Sequence, residues 1–182
     1  DVVSGSDREN LDIGIPSNVN IKSTYWRKKM KIPIDLDPDR DGCGVLWLCP
    51  LFPFDGTQIV DALVLIESTI KSYQFEPNIA IFCATSRTMK MFIAIMFDRD
   101  EPQADRRALE CHDRLLQLLL DRGYFPYRLG IQSMNSLPPA QDDYGKLLDT
   151  LKQGLDPNQI LSPGRYDFRT DSLAFNQPNR SP

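Results

Sequence analysis

Histidine is almost absent: His112 stands alone in 182 residues, and the four cysteines form no CxxC pair. Zinc needs closer spacing and more imidazoles than this, so no metal site is expected. No apolar run approaches the roughly 20 residues of a membrane-spanning helix, and no signal-peptide pattern opens the chain. Membrane is therefore not an expected partner. Five like charges never stand in a row, and the net charge is −4. The one basic cluster, Arg27-Lys28-Lys29 with Lys31, is short, which argues against nucleic acid. Cys43, Cys49, Cys83 and Cys111 read as reduced, mostly buried thiols of a reducing compartment such as the cytoplasm. A parent protein with a signal peptide would shift that expectation to the periplasm. The first residue is Asp1 rather than Met, which suggests a piece of a longer polypeptide or a trimmed one.

What is present suits an ordinary soluble domain: 41% apolar and 25% charged residues, with enough length for a real core. Residues 1–41 form a polar, irregular lead-in with one short strand suggested from Lys31 to Leu36. From residue 42 the signals sharpen. Val45-Leu46-Trp47-Leu48 is an apolar run bounded by Gly and Pro, as in a buried strand. Asp55-Gly56-Thr57 is a turn with Thr57 as candidate N-cap. Ile59, Leu63, Ile66, Ile70 and Tyr73 then repeat at helical spacing. Two strand-like segments follow, Ile79–Ala84 and Met89–Phe97, joined by the polar hairpin Thr85-Ser86-Arg87. Pro102 suits a first helical turn. A second stripe, Ala108, Cys111, Leu115 and Leu118, thickened by Leu116 and Leu119, ends at Gly123. Residues 125–131 are the candidate fourth strand.

Strand, helix, strand, strand, helix, strand is the split βαβ order. The expectation is an α+β fold, an antiparallel sheet with helices on one face, over residues 42–132. A C-terminal segment, 133–182, follows, with a shorter helix from about Ala140 to Gln153 stopped by Gly154. It contains a turn-rich unit, Leu155-Asp156-Pro157-Asn158-Gln159-Ile160-Leu161-Ser162-Pro163-Gly164-Arg165-Tyr166.

That unit resembles the C-terminal signature of FAD-linked oxidases of the vanillyl-alcohol oxidase and 4-cresol dehydrogenase family. Tyr25-Trp26-Arg27, Leu46-Trp47-Leu48-Cys49-Pro50 and Tyr127-Arg128 agree with it in order and spacing, so the likeness covers about residues 14–168. The resemblance implies that residues 42–132 are a cap over the substrate and that the chain then rejoins a flavin-binding domain supplied by an N-terminal portion. It implies oxidation of para-substituted phenols, with hydride passing from a benzylic or allylic carbon to FAD. In that reading Tyr127 hydrogen-bonds the phenolic oxygen, and Arg128 sets a fixed charge beside the flavin edge that gains electrons. Arg165 is a second cofactor-binding cation. Trp47, Leu51, Ile81 and Phe92 join Tyr127 in lining the pocket. Val45 stands where some relatives carry a flavin-linking histidine, so FAD is expected to be non-covalent. A homodimer and a cytochrome electron acceptor are partners that the family allows. Two alternatives stand beside this: a non-catalytic cap-like interaction module, and a related FAD-linked oxidase acting on another substrate such as a 2-hydroxy acid.

Overall fold

The computed structural model describes residues 15, 18–134, 136–137 and 143–162. It divides into two units, Asp1–Tyr127 and Arg128–Pro182. The first unit runs β1 (Cys43–Leu48), β2 (Leu51–Pro53), α1 (Gly56–Ser72), β3 (Asn78–Cys83), β4 (Thr88–Asp98) and α2 (Ala104–Leu120).

β4 organises the sheet, and every named strand pairs with it antiparallel. The register Leu48↔Ile93 continues as Leu51↔Lys90. β1 and β2 are therefore one strand in register, interrupted at Cys49 and Pro50. β3 pairs with Met89 to Ala94 of β4, a stretch that also meets β1 and β2, so β3 takes the opposite edge. The β3–β4 hairpin closes with Ala84 and Thr85 N–H donating to the Thr88 carbonyl, at 2.9 and 3.1 Å.

The expected strand 125–131 shrinks to one antiparallel bridge, Pro50↔Pro126. Leu51 N–H donates to Phe125 O at 2.9 Å, and Tyr127 N–H donates to Cys49 O at 3.1 Å. Those bonds come from the residues flanking the prolines, and among the described residues no further pair extends the ladder beyond them. The spatial order is nevertheless that of the split βαβ fold, and the α+β expectation holds.

Alternation along β4 sorts its side chains between the two faces. Met91, Ile93, Ile95 and Phe97 are buried on the face that the helices cover. α2 packs on β1, β4 and α1, while α1 packs on β2. Phe97 meets Phe75 at 6.3 Å between ring centroids, and the Arg107 guanidinium of α2 lies 4.9 Å over Phe75.

The opposite face carries Lys90, Phe92, Ala94, Met96 and Asp98. Its Asp98 end is covered by the helical turn Ser23–Arg27, which packs on β1 and β4. Lys28, its side chain only 4% exposed, bridges Asp98 at 2.7 Å and Asp100 at 2.6 Å. Tyr25 is buried, donates to Asp41 at 2.7 Å and accepts the Asp37 N–H at 2.8 Å. Burial pushes its phenol up to about 12. Hydrogen bonds from Arg40 and then Tyr25 hold the Asp41 carboxyl down at about 2.

Several local expectations change. Lys31–Leu36 is not a strand, because Pro33 breaks any ladder and Ile34 is fully exposed. Asp55, not Thr57, caps α1, its carboxylate accepting the Thr57 N–H at 2.9 Å. Pro102 falls before α2 rather than in its first turn. Gly123, at φ +79°, does end α2 in the left-handed region that favours glycine. Of the cysteines, Cys49 and Cys111 are buried but Cys83 is exposed on β3.

The second unit holds a 3-10 turn, Ile131–Ser133, and α3 (Asp143–Leu155). Gly154 does not stop α3, which continues through it to Leu155. Tyr144, Leu147, Leu151 and Leu155 form an exposed apolar stripe at helical spacing.

Close packing at Gly44 is testable. A Cβ there would lie 2.3 Å from the Phe97 ring, whereas Gly56 has open space around it. Gly44→Ala should cost about 1–3 kcal/mol as an overpacked core site, and Gly56→Ala should not destabilise. Chemical denaturation of the two variants measures this; a Gly44→Ala protein as stable as its parent would contradict the packing.

Candidate functional site

Covered at one end by Ser23–Arg27, the helix-free face stays open at the other. The pairs Trp47↔Ala94 and Leu51↔Lys90 put Trp47 and Leu51 on the same side of the sheet as Phe92. Tyr127, delivered by the proline bridge, meets Phe92 edge-on with centroids 6.2 Å apart. Phe82 of β3 meets the same ring at 5.1 Å. Trp47 is 48% exposed, Phe82 48% and Tyr127 42%. Such a cluster of open aromatic surface is unusual away from a binding site.

Four of the five expected pocket residues, Trp47, Leu51, Phe92 and Tyr127, thus share one face. Ile81 does not: it pairs with Met91 and belongs to the helix side. One step along a strand reverses the face, so its neighbour Phe82 takes the place assigned to it. Lys90 was also missed. Its Nζ lies 5.1 Å from the Phe92 centroid, 5.9 Å from Tyr127 and 6.0 Å from Phe82. The signal was available once the hairpin fixed the register, since Phe82 then faces Lys90 across the strands.

Val45 sits on this same face opposite Met96, and its side chain contains only carbon and hydrogen. Arg128 is exposed and opens the second unit. Arg165 lies outside the described residues. His112 is buried in α2, its Nδ1 3.3 Å from Asp113. Among the described residues no three His, Cys, Asp or Glu side chains cluster as a metal site. No helix among them is long and apolar enough to cross a membrane.

In the second unit, the turn-rich signature is built on Asp156. Its buried carboxylate accepts the Ile160 N–H at 2.9 Å and the Leu161 N–H at 3.0 Å, and pairs with Lys152. Lys152 also donates to the Leu161 carbonyl at 2.7 Å. Its hydrogen bond from Lys152 leads in holding the Asp156 carboxyl below the usual carboxylate range. The segment that resembles the C-terminal signature of FAD-linked oxidases is thus also a turn tied together by its own aspartate. Aspartate capping amides four and five residues on is the local clue.

No protein-family model matches the chain. It is 46% identical over 157 residues to the 1'-carboxy-chondrochloren decarboxylase of Chondromyces crocatus, a match covering 86% of this chain and 29% of that protein. It is 28% identical over 130 residues to the 4-cresol dehydrogenase [hydroxylating] flavoprotein subunit of Pseudomonas putida, covering 69% and 24%. The crystal structure of p-cresol methylhydroxylase with substrate bound matches at 25% identity and TM-score 0.62, over 68% of this chain and 24% of that one. The chain is related to the flavoproteins of the p-cresol methylhydroxylase and vanillyl-alcohol oxidase family. A further likeness, to 4-ethylphenol oxidase from Gulosibacter chungangensis in an isoeugenol complex, has a TM-score of 0.73 over 94% of this chain and 32% of that one. At 16% identity it speaks to the fold alone. The α+β unit is consistent with the cap domain of these neighbours. The chain spans 29% and 24% of the length of these two curated relatives.

The Asp156 turn gives a pH-dependent prediction. A carboxyl held below its unfolded value contributes stability above about pH 4 and loses it as pH falls towards the folded value. Hydrogen exchange at the Ile160 and Leu161 amides should therefore be protected at neutral pH. Asp156→Asn should speed it roughly tenfold. Equal protection in the variant would show that the carboxylate does not hold the turn.

Proposed function

We propose that the chain roofs the substrate site of an FAD-dependent oxidoreductase that takes hydride from the benzylic or allylic carbon of a para-substituted phenol. The observation that carries this reading is the open aromatic face, where Trp47, Leu51, Phe92 and Tyr127 stand together on the side free of helices. A flat phenol needs apolar walls with polarity at one end. Trp47, Leu51 and Phe92 supply such walls, and the Tyr127 hydroxyl is the polar end that hydrogen-bonds the phenolic oxygen and favours its phenolate.

The face also fits one side of a flavin site, being flat, apolar and open, with phosphate-binding elements left to the N-terminal portion of the longer protein. Bound FAD would supply the hydride acceptor. Arg128 and Arg165 are the residues of this chain that would hold it, a guanidinium keeping its charge at any working pH. The exposed stripe Tyr144, Leu147, Leu151 and Leu155 on α3 supports docking of the second unit onto that flavin-binding portion. With only carbon at Val45, the flavin is held without a covalent link from this position.

A second reading has a specific basis in the 46% identity to a protein named as a decarboxylase of a carboxylated compound. In that reading the substrate bears a carboxylate that leaves as carbon dioxide, its bonding electron pair staying on the substrate to fill the centre from which hydride was taken. Both readings share the aromatic face and Tyr127.

The test uses the full-length, flavin-loaded protein. Tyr127→Phe keeps the ring and removes one hydroxyl. If that hydroxyl bonds a phenolate, the loss costs about 1.5–3 kcal/mol, and kcat/KM on a phenol falls roughly tenfold to a hundredfold. Arg128→Lys keeps a charge but loses the planar fork, so anaerobic flavin reduction slows while phenol affinity is retained. Parental reduction rates in both variants, with melting temperatures lowered, would leave only a packing role.

A further inference from the structure

On the open face, Lys90 is a charged side chain among aromatic and aliphatic neighbours. Strand register sets it between Leu51 and Phe82, and its Nζ lies within 6.0 Å of three ring centroids at once. A surface lysine ordinarily extends its ammonium into water; this one is half-buried and folded over rings. Among the described residues no carboxylate pairs with it and no acceptor receives its hydrogen bonds. The ring faces stabilise the positive charge and remove water from its flanks, but they accept none of its three N–H donors well. A cation in that condition is set to receive an anion.

We propose that Lys90 binds a carboxylate carried by the aromatic substrate. This rests on the reading of the open face as the substrate wall. The anion is a carboxylate joined to a flat ring because Phe92 and Tyr127, which hold the ammonium, are also the rings against which such a substrate lies. The ammonium stands 5.9 Å from the Tyr127 centroid, within reach of one small aromatic acid. A charge-assisted hydrogen bond to a partly dehydrated ammonium distinguishes an acid from its neutral isostere. Lys90 is then a specificity-determining residue, selecting phenolic acids over plain phenols.

The experiment compares 4-hydroxyphenylacetate with its uncharged isostere 4-hydroxyphenylacetamide. Each is titrated anaerobically into the full-length flavoprotein, and dissociation constants are read from the perturbed flavin absorbance. The parent protein should prefer the acid. Lys90→Met, which keeps the aliphatic stem, should lower the acid-to-amide preference about tenfold or more, and Lys90→Arg should retain most of it. A parent that does not discriminate, or a Lys90→Met variant that weakens both ligands equally, would overturn the assignment. If the amide and 4-ethylphenol still bind in that case, the reading of the face as a phenol wall stands without Lys90. If no phenol perturbs the parent flavin, both fall together.

Discussion

Strand β4 is hydrogen-bonded on both edges, and nearly everything else in the first unit follows from that constraint. A strand with two partners cannot shift register without breaking both ladders, so its two-residue alternation becomes a fixed partition. Met91, Ile93, Ile95 and Phe97 are committed to the helices, while Lys90, Phe92, Ala94 and Met96 are committed to the other side. The apolar side is closed by α1 and α2, with the Phe97 ring filling the space above Gly44. The other side is closed at one end only, by the turn around Tyr25 and the buried Lys28 ion pairs.

That half-closed face is where the proposed function meets the fold. A sheet that covered both faces with helices would have no room for a flat ring, and one that left a whole face open would carry a large apolar patch into water. Here the polar network of Tyr25, Asp41, Arg40 and Lys28 protects the Asp98 end. The aromatic end remains available, with Trp47, Phe82 and Tyr127 exposed. The chain's small share of its relatives' length accords with a surface that is completed by further polypeptide.

The sequence made the element order legible because long stripes and a hairpin leave strong local signals. Ile59, Ile66 and Ile70 fall on the buried side of α1, and Ala108, Cys111, Leu115 and Leu119 on that of α2. The face of each strand residue was less legible, since it depends on non-local register. Ile81 and Phe82 are both large and apolar, and only the pairing of Ile81 with Met91 separates them. Lys90 was hidden for a different reason: within an apolar run, one lysine reads as an ordinary interruption until its ring neighbours are known. The fourth strand is shorter than its apolar residues suggest, since only the bridge at Pro50 and Pro126 and its two flanking bonds form. Asp156 carries no periodic signal, because its role lies in amides four and five residues further on.

The central claim is that the helix-free face of β4 forms one wall of the substrate site. A crystal structure of the full-length protein with flavin and a para-alkylphenol tests it most directly. The account predicts the phenol ring in van der Waals contact with Phe92 and Trp47, its oxygen within hydrogen-bonding distance of the Tyr127 hydroxyl. A phenol bound elsewhere, with that face sealed by other polypeptide, would contradict it.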